Sequence, residues 1–273
     1  MKKNILAVIF VIVFSSTSAF AQNTIFVPRP PVINIYPQFD PVRMHLEQQL
    51  LRDNMNAASN GNGKKRRASS SNSRAATTAP VKIATGVTAF NAAGGRILPD
   101  QLSKAQGKNA SEISQAKQTF DRFLNIYQET AQKDGFPAND LAYGFEFFIV
   151  SNYIFYNDFL QQDPTDEALT SRNSKQASWA LIQSAEKIVY QQIKDVLSKN
   201  PEIIKLTNRQ KQEFTEMLAI TTAATYYMYQ MAGKNKDAEA FAEAQNTAKQ
   251  ALEKLFGVSA DRIKITANGL EFK

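Results

Sequence analysis

The stretch Asp140–Gln162, DLAYGFEFFIVSNYIFYNDFLQQ, is the most apolar and aromatic run beyond the first twenty residues. Gly135 and Pro137 close off what precedes it, and Asn139 or Asp140 supplies an N-cap oxygen for the free N–H groups of a first turn. Pro164 forbids a helix from running past Asp163. Between these stops Leu141, Phe145, Phe148, Ile149, Val150, Tyr153, Ile154, Phe155, Tyr156, Phe159 and Leu160 cover almost every direction around a helix. A helix apolar all round is either the centre of a bundle or a membrane span. At 1.5 Å per residue the run makes a rod about 35 Å long, enough for either.

Polar residues inside the run decide between the two. Glu146, Ser151, Asn152, Asn157 and Asp158 interrupt it. An ionised carboxylate near a bilayer centre costs roughly 2.5–3.5 kcal/mol. No long apolar neighbour offers a second span. The stretch reads as the central helix of a soluble bundle.

The chain begins MKKNILAVIFVIVFSSTSAFAQ. Lys2 and Lys3 precede an apolar Ile5–Phe14 core too short to span a membrane comfortably, and Ala19-Phe20-Ala21 is a small-residue cleavage site. This is a secretory leader, residues 1–21, and export to the periplasm or the medium is the expectation. The chain has no cysteine, so no disulfide and no lipid-modified cysteine is available, and stability must come from an ordinary core. With 273 residues and 43% hydrophobic content the chain can bury one.

A net charge of +7 invites a nucleic-acid reading, but the charge is local. Lys2 and Lys3 lie in the leader. The acid-free stretch Ala57–Pro80 carries Lys64, Lys65, Arg66, Arg67 and Arg74. The remainder is near neutral, so no sequence-specific nucleic-acid face is expected. The linker composition of residues 57–80 predicts disorder. Lys64, Lys65, Arg66 and Arg67 are the candidate contact to an anionic envelope surface, against the plainer reading of a solvated charge run.

Residues 22–56 read as an extended arm with Pro28, Pro30, Pro31 and Pro37, then a short helix started by Asp40-Pro41. Val81–Phe90 alternates like a short strand, and Asn91–Pro99 reads as a loop. Asn109 with Glu112 three residues on marks a helix start, and apolar spacing carries that helix to about Lys133. Further helices are predicted over Ser174–Lys199, from Thr207 to about Ala232 with Gly233 as its stop, and over Asp237–Phe256. In the tail Ile263 and Ile265 alternate with polar residues before Asn268-Gly269, a hairpin turn pair. The expected fold is mainly α: about five helices around a central aromatic helix, in a domain of residues 81–273, with a small β element from 81–90 and 262–272.

The VTAF segment, the GFPANDLAYGFEFF junction, the LTNRQKQ helix start and the closing GVSADRIKITANGLEF resemble a family of exported bacterial proteins of unknown function. The resemblance covers about Val81 to Lys273. It implies a helical secreted domain behind a variable arm and brings no catalytic residues.

His45 is the single histidine and lies before the linker. The domain therefore lacks both His and Cys, which excludes Ser-His-Asp and Cys-His sites within it, ordinary zinc sites and the Glu-x-x-His di-iron arrangement. No Walker, Rossmann or calcium-loop motif occurs, and no cofactor is expected. Carboxylates remain. Glu146 is the acid set deepest in the apolar helix, where burial would raise its pKa toward the general-acid range. Asp158 is about 18 Å further along a straight helix, too far for a glycosidase pair at roughly 5–9.5 Å. A second acid would come from another helix, with Asp121, Glu129 and Glu186 as candidates. The structural reading is that Glu146 takes a hydrogen bond from a Tyr hydroxyl or pairs with an Arg. The sequence thus favours a non-enzymatic exported domain that binds an unknown protein or envelope component, immunity- or assembly-factor-like. The alternative is a carboxylate-dependent hydrolase of cell-wall glycan centred on Glu146.

Overall fold

The computed structural model describes residues 85–92, 94–166 and 168–273. The expected leader and arm, His45, the basic run Lys64–Arg67 and residues 81–84 lie outside the described residues. Seven helices and one hairpin follow in order: α1 Leu98–Gln106, α2 Ala110–Asp134, α3 Leu141–Tyr156, α4 Leu169–Lys199, α5 Pro201–Ile204, α6 Asn208–Asn235, α7 Ala238–Phe256, a 3-10 turn Ala260–Arg262, then β1 Ile263–Thr266 and β2 Gly269–Phe272.

The aromatic run is the middle of the molecule. All of α3 except Ser151 and Tyr156 is buried. Helices α4, α6 and α7 pack on it, joining Phe145, Phe148, Ile149 and Phe155 to Ile182, Val189, Leu218 and Leu252 in one apolar cluster. The other side of α3 presents Tyr143 and Phe147 to a second cluster built with Phe120, Phe123, Leu124 and Tyr127 of α2. Tyr127 lies 5.2 Å from Tyr143 and 5.3 Å edge-on from Phe147, ring centre to ring centre. Fully burying one such side chain contributes about 1.5–3 kcal/mol, so α3 contributes to both clusters at once. Among the described residues no helix is long and apolar enough to cross a membrane.

The local signals explain most boundaries. Asp140 caps α3 through the Ala142 N–H at 2.9 Å. Thr207 and Gln210 form a reciprocal capping box at the start of α6. At the end of α2 Gly135 turns left-handed (φ 75), and the N–H groups of Gly135 and Phe136 both reach the Ala131 carbonyl.

Other boundaries differ from the sequence reading. The central helix stops at Tyr156 rather than running on to Gln162, because Asp158 adopts φ 52 and Gln161 φ 57. Helix α6 runs past Gly233 to Asn235 and is ended by Lys236 at φ 55. Gly233 serves packing instead: a Cβ there would sit 2.7 Å from the Gln162 carbonyl oxygen. Residues 85–90 form a turn with one isolated bridge, Ala89 to Asp140, and do not join the hairpin. Their carbonyls are claimed elsewhere, Thr88 O by the Leu141 N–H and Val87 O by Lys211. The hairpin turn is Ala267–Asn268, with Gly269 paired to Thr266 at φ 101.

Candidate functional site

Glu146 sits on the second turn of α3 and is 3% exposed. Neither partner expected from the sequence meets it. Tyr127 donates its hydroxyl to the Ala138 carbonyl at 2.8 Å, and Tyr190 donates to Asp140. No Arg approaches, and the Glu146 carboxyl has no hydrogen bond or ion pair among the described residues. The groups whose charge it feels are acids: Glu186 of α4 and Asp134, the last residue of α2.

Burial first, then the charges of Glu186 and Asp134, push the Glu146 carboxyl well above the usual carboxylate range. Burial raises Glu186 to about 7, with Asp134 adding to the shift and Lys133 opposing it. Burial likewise raises Asp134, again against Lys133. A proton held by Glu146 removes the cost of an isolated buried charge. No group of three or more His, Cys, Asp or Glu among the described residues could hold a metal ion.

Of the acids considered as partners for Glu146, the fold brings in Glu186 alone. Asp121 is taken by Lys117 at 2.8 Å and Arg96 at 3.2 Å, and Glu129 is exposed on α2. Asp158 is also buried, but with partners: Lys175 at 2.7 Å, the Gln162 N–H at 2.8 Å and the Tyr229 hydroxyl. Asp134 was not among the sequence candidates. Its signal was the Gly135 turn beside it, which folds the end of α2 back onto the start of α3.

A cleft of about 320 Å³ lies elsewhere, between the loop before α1, α2 and α6. Phe90, Leu124, Tyr127, Asn139, Gln212 and Glu216 contribute to its lining, and Glu146 does not. Most of its polar groups have protein partners, while the buried Thr215 hydroxyl in its lining has none. Glu216 accepts from the Ile97 and Leu98 N–H groups at 2.9 and 2.7 Å and from Gln212 at 2.7 Å. Arg96 donates to Asp121, Asn125 and Gln128. Gly95, in the Gly-Gly-Arg stretch, offers its carbonyl to Gln212. Tyr226, Tyr227 and Tyr229 are core fillers: Tyr229 stacks on Phe155 at 5.3 Å, Tyr226 lies 5.7 Å from Phe155, and Tyr227 packs against the second cluster.

The model of a Family of unknown function (DUF6683) matches residues 2–273, and the chain belongs to that family. The match reaches back to residue 2, well beyond residues 81–273. No curated protein and no solved structure matches the chain.

Proposed function

We propose that this family member is an exported, non-enzymatic helical domain that binds another macromolecule of the cell envelope, in an immunity- or assembly-factor-like role. One observation carries the reading. The acid that the hydrolase alternative needs, Glu146, is enclosed at 3% exposure and stands apart from the cleft lining. A glycosidase needs two carboxyl groups flanking a sugar that can enter between them, and the one acid in the cleft lining, Glu216, is committed to the first N–H groups of α1. Large apolar side chains do reach the surface, with Leu181 40%, Ile188 41% and Ile204 54% exposed. Leu181 and Ile188 are two turns apart on one side of α4, the spacing of a helix face open to a partner. The leader supports export, and the basic run Lys64–Arg67 supports attraction to an anionic envelope surface.

The test is a two-part assay on the full chain. Incubation with peptidoglycan should release no reducing sugar. Binding to isolated envelope should be saturable and should weaken when Leu181 and Ile188 are both changed to Ser. Sustained turnover that disappears in Glu146→Gln would replace this reading with the hydrolase.

A further inference from the structure

The cleft between the loop before α1, α2 and α6 measures about 320 Å³, at the small end of the range for small-molecule sites. Its walls are tied to one another. The Phe90 N–H donates to the Asn139 carbonyl at 3.1 Å, and the Asn139 side-chain amide donates back to the Phe90 carbonyl at 3.1 Å. Tyr127 of α2 donates to Ala138 at 2.8 Å, and Gln212 of α6 holds the loop through the Gly95 carbonyl at 2.7 Å. The space is built in advance, so a ligand has little left to order on entry.

The lining selects the ligand. Phe90, Leu124 and Tyr127 are buried and supply apolar and aromatic surface. The two charged side chains offer no free charge. Arg96 is engaged by Asp121, Asn125 and Gln128, and Glu216 by the Ile97 and Leu98 N–H groups and Gln212. An ion entering the cleft would give up water without gaining a counter-charge. Hydrogen-bonding capacity does remain: Thr215 is 2% exposed, and its hydroxyl has no partner among the described residues. A buried hydroxyl left unpaired is costly. It is enclosed as it stands, and the two χ1 rotamers open to threonine in a helix let it turn toward a donor. Size sets the last constraint. A cavity of about 150 Å³ takes a benzene ring, so about twice that volume takes two fused rings.

We propose that this cleft is a binding site for one uncharged aromatic group of about two fused rings that carries a hydrogen-bond donor, as a free small molecule or as the side chain of a partner. The ring lies against Phe90, Leu124 and Tyr127, and the donor meets the Thr215 hydroxyl. The site uses no residue of α4, so it does not depend on what the exposed Leu181 and Ile188 face binds.

Indole is the probe, and 1-methylindole, which lacks the N–H, is its control. In an NMR shift titration of the full chain, indole should bind saturably with a Kd on the order of 1 mM or tighter. The methylated control should bind about fivefold more weakly. Thr215→Val keeps the shape without the hydroxyl and should make the two probes bind alike. Ala92 is an exposed residue of the lining; Ala92→Trp places a ring in the mouth and should weaken indole by about tenfold. N-acetyltryptophanamide binding tighter than indole assigns the group to a partner's side chain, and binding more weakly assigns it to a free molecule; both support the site. The proposal is overturned by no saturable binding, by equal affinity for the two probes in the wild type, or by a preference for indole that persists in Thr215→Val. Tighter binding of indole-3-acetate or tryptamine than of indole, or an affinity unmoved by Ala92→Trp, overturns it as well. If Ala92→Trp does not fold, nuclear Overhauser contacts from indole to the Leu124 methyl groups of the wild type decide: their presence supports the site and their absence overturns it.

Discussion

The two ends of α3 and its second turn treat a buried carboxyl in opposite ways. At the start Asp140 is fully enclosed and has the Ala142 N–H, the Tyr190 hydroxyl and Lys194 for partners. Just past the end Asp158 is 2% exposed and has Tyr229, the Gln162 N–H and Lys175. Between them Glu146 is equally enclosed and has none. An acid at a helix end can meet backbone N–H groups and side chains from neighbouring elements. An acid in the second turn of a helix packed on several sides meets only what those neighbours present, and here they present more acid. The first two carboxylates fasten the helix, whereas the third strains its packing above the pH where it would otherwise ionise.

The largest expected effect would break the comparison from the fastened side. Asp140→Ala strands the partly buried Lys194 and should lower stability by about 3–5 kcal/mol in urea unfolding, while Asp158→Ala leaves Lys175 its Asp166 partner and should cost about 1–3 kcal/mol through the lost Tyr229 and Gln162 bonds. A loss below about 1 kcal/mol in both would mean that the ends are not fastened by these acids. Next comes Gly233→Ala, which drives a methyl group against the Gln162 carbonyl beside the Asp158 turn. It should cost about 1–3 kcal/mol, and a neutral result would show that the turn yields. Glu146→Gln sharpens the contrast with the opposite sign. The folded-state carboxyl is raised, so its penalty is absent below the ordinary value of 4.5 and grows as pH rises beyond it. The amide should therefore be more stable than the wild type at pH 8 and show no such gain at pH 4. Equal destabilisation at both pH values would reveal a partner for Glu146. The smallest effect concerns a region outside the helices described: replacing Lys64, Lys65, Arg66 and Arg67 with Ser should leave the melting temperature unchanged while flattening the salt dependence of envelope binding.

Much of this was legible in the sequence because the deciding groups are close in sequence. The Asp140 cap, the Thr207–Gln210 box and the Gly135 stop are all set within a few residues, and they marked the starts of α3 and α6 and the end of α2. The central position of α3 followed from apolar residues on every side. What escaped was set by distant partners. Helix α1 had no sequence signal beyond the loop expected to end at Pro99, and its N-cap residue Ile97 has no capping side chain; the capping carboxylate comes from Glu216. Helix α4 begins at Leu169, where Ala168 likewise gives no local cap. The turn at 85–90 alternates like a strand, yet no neighbouring strand pairs with it. At the candidate site Glu146 and Glu186 were legible as acids on helices. Their union with Asp134 depends on how the α2–α3 corner folds back, a property of the packing.

The Glu216 cap also bears on the order in which the chain becomes ordered. It joins Leu98 to a carboxylate 118 positions later, so it adds a long-range closure whose entropy must be met before it is rewarded. A chain emerging amino end first would display α1 uncapped until α6 had followed it. Helix α1 is thus expected to be among the last elements to gain exchange protection during refolding, although it comes first among the helices described.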